Sequence, residues 1–220
     1  MYTASRPAKI LVVDDHPMMR EGLALRISGQ ADMEVCGEAE DVDEALAEVK
    51  AKGPDLVIVD LSLRRGHGID LIKQIKARDT RVKTLVVSTY EESLYAERCL
   101  RAGAMGYINK QQCRENIIGA IRQVLEGKRY VSPEMAERLI GKAVGEIDTS
   151  SESPLDVLSD RELEVFHLIG GGLTTGEIAK QLHLSTHTID SHREKMKAKL
   201  NLKKGAELTR LAVQWGLQQG

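Results

Sequence analysis

Two rhythms alternate along the first 127 residues. Apolar runs stand at 9–13 (KILVV) and 56–59 (LVIV), with further strand-like runs at 82–87 and 105–108 and a weaker one at 33–39. Short runs without polar interruption fit strands buried on both faces. Between them, apolar residues recur every three or four positions, the period of an amphipathic helix. This predicts helices from Asp14-Asp15-His16-Pro17 to about Ser28, and over 42–50, 69–77, 93–101 and 115–126. Strands alternating with helices of this length imply βαβ units and a parallel sheet. The expectation is an α/β domain over 1–127 with a five-stranded, doubly wound parallel sheet.

The pattern then changes. Residues 128–154 read as a linker, with a helix over 133–144; the stretch GEIDTSSESP has no apolar period. Two basic and five acidic residues between 131 and 154 suggest that this segment stays solvated. From 155 to 220 the pattern is wholly helical. Ser159 followed by Glu162 forms a capping box, opening a helix that stops at Gly170-Gly171-Gly172. Helices follow over 175–182, from Ser185 or Thr186 to about Leu200, and over 205–215, a small all-α four-helix domain.

Composition narrows the function. Aromatics are 3% of 220 residues, so cores must be aliphatic and base-stacking platforms are scarce. No apolar run reaches the length of a membrane span, and residues 1–9 lack a secretory apolar stretch. Three scattered cysteines do not make a disulfide framework, and a cytoplasmic protein with reduced thiols is expected. The net charge of −2 hides a basic stripe from Arg193 to Lys204, interrupted by one acid, Glu194. Such a stripe suits phosphates, although a solvated helix face is its commoner use.

The strand ends carry the chemistry. Asp14 and Asp15 follow the first strand, Asp60 the third, Ser88 and Thr89 the fourth and Lys110 the fifth. Open α/β sheets bind ligands at this edge. Three converging carboxylates need a cation, and oxygen ligands favour Mg²⁺. A carboxylate beside such an ion can accept a phosphoryl group, with Lys110 and Ser88 contacting its oxygens. Taken singly, each residue has an ordinary reading: an acidic helix start, a strand-end acid, a cap, a surface lysine. Their joint placement favours the site.

The segments LVVDD, DLVIVDL, VVST and AGAMGYINK resemble the receiver domain of bacterial response regulators, over residues 8–127. That resemblance implies a flavodoxin-like fold, with Asp60 as phosphoacceptor. It implies Mg²⁺ bound by Asp15, by Asp14 through water, by Asp60 and by the Ser62 carbonyl. Ser88 would be the switch hydroxyl and Tyr107 the aromatic that moves with it, unless Tyr107 is a half-buried packing residue. Gln111 departs from the proline common after the family's lysine. An aspartyl phosphohydrolase would also use an Asp nucleophile, but it commonly has a second Asp where this chain has Ser62. Ser62 and Tyr90, two residues beyond Asp60 and Ser88, would border the path of an attacking water.

In the last domain, Ile189, His192, Met196 and Leu200 share one helical face and should be core. His187, Asp190, Ser191, Glu194 and Ala198 lie opposite, where base edges would be read, and Lys195, Lys197 and Lys199 flank them for phosphates. Residues 155–217 resemble the LuxR-type helix-turn-helix, and the whole chain resembles the NarL/FixJ group of response regulators. This implies a phosphate contact near Thr175 and a dimer contact through Leu208, Leu211 and Trp215 of the last helix, residues that can also close the core. His183, His187 and His192 lack the convergence of a zinc site. The expected protein is a phosphorylation-activated regulator of transcription. Its partners are a sensor histidine kinase, double-stranded promoter DNA and, when phosphorylated, a second copy of itself, with no membrane and no activity beyond its own modification. A DNA-binding protein with an unphosphorylated, structural receiver is the remaining alternative.

Overall fold

The computed structural model describes residues 6–144 and 154–219. They form two compact units, divided between Ile140 and Gly141. The first holds strands β1 (Ala8–Val13), β2 (Met33–Ala39), β3 (Leu56–Val59), β4 (Lys83–Ser88) and β5 (Gly106–Asn109). Its helices are α1 (Pro17–Ser28), α2 (Val42–Lys52), α3 (Gly68–Arg78), α4 (Glu92–Ala102) and α5 (Cys113–Leu125), with the start of α6 (Pro133–Val144).

The five strands are all parallel, in the order β2-β1-β3-β4-β5. Strand order reverses at β1, which opens a crevice at the carboxyl ends of β1 and β3. The two-residue period of a strand sorts the side chains. Ile10, Val12, Leu56, Ile58, Leu85 and Val87 form one core with Leu23 and Ile27 of α1 and Ile117, Ile121 and Val124 of α5. The alternate residues Leu11, Val13, Val57, Val59 and Val86 are equally buried on the face covered by α2, α3 and α4. Burial on both faces explains the unbroken apolar runs.

Helix ends follow local chemistry. Pro17 starts α1, where a missing N–H is harmless. Asp41 caps α2 by accepting from the Glu44 amide, and Gly53 ends that helix with φ +57°. Strand β4 runs one residue beyond the pattern's limit, to Ser88, which pairs with Asn109 of β5.

The stretch after α5 packs more than its charge suggested. Tyr130 adds a parallel bridge beside Gly106: its carbonyl accepts from the Tyr107 amide at 2.8 Å and its amide donates to the Met105 carbonyl at 3.0 Å. The outer edge of β5 is thereby covered. Ser132 caps α6, its own amide donates to Glu92 Oε1 at 2.9 Å, and Met135 is buried. Arg138 donates to the Ser93 carbonyl at 2.9 Å, so α6 is strapped to the first turn of α4. The acidic stretch 145–153 lies outside the described residues.

The second unit opens with a 3-10 turn, Pro154–Val157, followed by α7 (Asp160–Gly170), α8 (Thr175–Gln181), α9 (Thr186–Lys199) and α10 (Gly205–Gln219). Reciprocal capping boxes start α7 (Ser159 with Glu162) and α8 (Thr174 with Glu177), and Ser185 caps α9. Phe166, Ile169, Ile178, Leu182, Ile189, Met196, Leu208 and Ala212 are buried and form the small core. At Gly170 a Cβ would lie 2.6 Å from the Ala212 carbonyl, so this glycine lets α7 and α10 meet. No helix among the described residues is long and apolar enough to cross a membrane.

Candidate functional site

The sheet ladder aims the acids. Beyond β1 the Asp14 amide still donates to the Ala39 carbonyl of β2, and the Asp60 amide to the Val13 carbonyl. The Lys110 amide donates to the Ser88 carbonyl at 2.7 Å, which ties the β5 turn to the end of β4. Gly68 lies so close beneath that a Cβ would be 2.2 Å from the Asp60 carbonyl. Asp14, Asp60 and Ser88 are buried, and Asp15 is partly exposed.

Lys110 Nζ straddles two carboxylates, 2.8 Å from Asp14 Oδ2 and 2.7 Å from Asp60 Oδ2. Asp60 Oδ1 accepts from the Leu61 amide at 2.7 Å. On the other side, His16 Nδ1 lies 2.7 Å from Asp15 Oδ1 and 3.2 Å from Asp14 Oδ1. Burial pushes the Asp60 carboxyl up to about 7 against the pull of Lys110, and the neighbouring Asp14 adds to the rise. Burial also raises Asp15, with His16 opposing it. Burial of the Lys110 ammonium works to lower its pKa, but Asp60 and Asp14 outweigh it and the net shift is upward. One lysine therefore serves two buried acids.

Ligand atoms of Asp14, Asp15, His16 and Asp60 lie within 4.8 Å of one another. Donors around a small octahedral ion at 2.0–2.1 Å span at most about 4.2 Å, so slight inward movement suffices. The three carboxylates make this a donor set for a hard divalent cation.

A second network joins the rim. Ser62 Oγ and Tyr90 Oη are 2.8 Å apart, and the Tyr90 ring stacks on Tyr95 with centroids separated by 4.7 Å. The Tyr90 amide donates to Ser88 Oγ at 3.3 Å. Tyr107 is fully buried and its hydroxyl donates to the Tyr90 carbonyl at 2.7 Å, with Asn109 donating to the same carbonyl at 3.3 Å. Burial holds the Tyr107 phenol well above its ordinary pKa, so it stays a donor. Of the residues expected from the sequence, Asp14, Asp15, Asp60 and Lys110 are thus gathered at one edge, and Ser62, Ser88 and Tyr107 are joined to one another through Tyr90. The sequence reading missed His16 and Arg20. His16 directly follows the acidic pair, and Arg20 lies one helical turn beyond it.

The helical unit divides its expected residues. His187, Asp190, Ser191, Glu194, Lys195 and Ala198 are exposed along α9, and Ile189 and Met196 are buried beneath. His192 is half-buried, and burial lowers its pKa. Lys197 pairs with Glu194 at 2.8 Å. Lys199, expected at a phosphate, is exposed and also pairs with the buried Glu162 of α7 at 2.6 Å, a buried acid that needs a counter-charge. Thr174 caps α8, and Thr175 is its partly buried first residue. Leu208, expected at a dimer contact, is wholly enclosed by its own domain, whereas Leu211 and Trp215 keep exposed surface.

Comparison with known proteins agrees with both halves. The family model described as the response regulator receiver domain matches residues 10–122, and that described as bacterial regulatory proteins of the luxR family matches residues 156–212. The chain belongs to the response regulators that join these two domains. It is 36% identical over 209 residues to the oxygen regulatory protein NreC of Staphylococcus carnosus, covering 93% of this chain and 96% of that one. A structure of Salmonella typhimurium RcsB, described for conformational dynamism in DNA interaction, matches with a TM-score of 0.56 and 26% identity over 94% of this chain and 98% of that one. A structure of two RcsB dimers bound to two parallel DNAs matches equally well, at TM-score 0.56 and 26% identity over 93% of this chain and 97% of that one.

Proposed function

We propose that Asp60 accepts a phosphoryl group from the phosphohistidine of a sensor kinase, and that this controls promoter binding through α9. The observation that carries the reading is the single ammonium of Lys110 bridging Asp14 and Asp60 at the buried edge of the sheet. An Asp60 carboxylate oxygen attacks phosphorus; the new O–P bond forms as the N–P bond breaks, and the bonding pair leaves with the kinase imidazole. Asp15, Asp14 through water, Asp60 and the Ser62 carbonyl would hold Mg²⁺, which neutralises charge on the phosphoryl oxygens. Lys110 then turns to a phosphoryl oxygen, and Ser88 donates to another.

Drawing Ser88 inward disturbs the Tyr90 amide it now accepts from, and with it the carbonyl that holds Tyr107. The face of α4, β5 and α5 is the element biased by this local charge event. We assign 1–127 as receiver, 128–154 as connecting segment and 155–220 as DNA-binding domain, in a cytoplasmic protein. Ser191, Glu194 and Lys195 stand on the exposed face of α9 for the major groove, and a phosphorylated homodimer would match a two-fold operator. The dimers of RcsB on DNA support this assembly. A hydrolase reading is disfavoured: the position of its second carboxylate is Ser62, whose hydroxyl bonds Tyr90.

Intact-mass spectrometry after exposure to a small phosphodonor and Mg²⁺ tests the proposal. Wild type should gain one phosphoryl group and Asp60→Asn none. Equal labelling of both would overturn it.

A further inference from the structure

Arg20 has a place in this edge that its charge alone does not explain. Its Nη1 donates to the Asp14 carbonyl at 2.6 Å and its Nε to Glu38 Oε2 of β2 at 3.3 Å, with the side chain only 16% exposed. Asp14 is gripped at its other groups as well. Its amide donates to the Ala39 carbonyl, and its Oδ1 accepts from the His16 amide at 2.8 Å. The Arg20 guanidinium holds the carbonyl, and that carbonyl belongs to the peptide leading into Asp15.

We infer that Arg20 is a positioning residue for the cation site: it fixes the Asp14–Asp15 peptide so that both carboxylates face Asp60 against their mutual repulsion. The inference rests on the reading that these carboxylates hold a divalent cation. The planar fork of an arginine reaches the carbonyl and Glu38 together, which a lysine ammonium cannot do with the same fixed geometry.

The sign of the effect separates this role from simple electrostatics. A guanidinium near the site repels a metal ion, so charge alone predicts that removing it tightens Mg²⁺ binding. Positioning predicts the reverse. The experiment is calorimetric titration of the full chain with Mg²⁺. Arg20→Gln should weaken binding by about tenfold, the scale for a group that orients a metal ligand. Glu38→Gln, which leaves the carbonyl bond in place, should stay within about twofold of wild type. Arg20→Lys keeps the charge and serves if Arg20→Gln fails to fold; it too should bind several-fold more weakly. Unchanged or tighter Mg²⁺ binding by Arg20→Gln, or by Arg20→Lys in its place, would overturn the inference. Wild-type Mg²⁺ affinity in Asp15→Asn would instead sink the underlying cation site.

Discussion

Both domains bury carboxylates beside basic side chains, and the two arrangements differ in how many acids each cation must serve. At the sheet edge, Lys110 is shared between Asp14 and Asp60, and Asp15 pairs with the largely exposed His16. Burial wins there, and the Asp60 carboxyl is raised to about 7. In the helical domain the two buried acids have separate partners: Glu162 takes Lys199, and Glu164 takes Arg161. Burial works against Glu162 too, but Lys199 and the Ser159 amide outweigh it, and its pKa falls below the ordinary range. The first site is short of positive charge and suited to take up a cation. The second is closed, and its ion pairs hold α7 to α9 and to the Leu182 carbonyl.

The largest effect that separates the two is loss of the shared lysine. Lys110→Met leaves two buried acids facing one another, and should destabilise the receiver by about 3–5 kcal/mol in the absence of Mg²⁺. Added Mg²⁺ should restore much of that loss. Lys199→Met strands one buried acid, which keeps its Ser159 bonds, and should destabilise the helical domain by about 1–3 kcal/mol with no response to Mg²⁺. Urea denaturation with and without the ion checks both.

The pH dependences should run in opposite directions. The folded pKa of Asp60 is above its unfolded value, so the folded chain binds more protons and the receiver gains stability as pH falls from about 7 towards about 4. Asp60→Asn should flatten that slope and raise stability at pH 8 by about 1–3 kcal/mol. Glu162 is shifted the other way: its contribution is present above the unfolded pKa and is lost as pH falls through the lower folded value. Glu162→Gln should remove that acid-side loss. Denaturation midpoints measured across this range would contradict the comparison if both variants shifted the same slope. The smallest effect expected is Tyr107→Phe: it removes the hydroxyl's bond to the Tyr90 carbonyl, which still accepts from Asn109, and its contact with Ser88, for about 0.5–1.5 kcal/mol.

Residues such as Ile10, Val12, Leu56 and Ile58 made the sheet legible, because burial on both strand faces leaves an unbroken apolar run. The carboxylate edge was legible because parallel topology brings strand ends together whatever the length of the crossovers. Side chains on helices were harder to read. Lys199 belonged by period to a solvated stripe and is exposed there, and only a partner 37 residues away gives it a second use, as counter-charge to a buried acid. Leu208 and Leu211 are three positions apart on α10, yet their burial differs, since the period marks a face and the neighbouring helix decides how deep each residue lies. Arg20 gave no signal because the acceptor it holds is a backbone carbonyl, which sequence chemistry does not mark.

The most direct test follows both domains in one chain as Mg²⁺ is titrated. Trp215 is the single tryptophan and lies in the helical domain, so its fluorescence reports that unit, whereas far-ultraviolet circular dichroism also follows the receiver. An ion that binds only the folded receiver stabilises it in proportion to the logarithm of its concentration above Kd. The account predicts that the receiver's urea midpoint climbs with Mg²⁺ while the Trp215 transition stays still. A receiver midpoint that did not move, or two transitions that moved together, would contradict it.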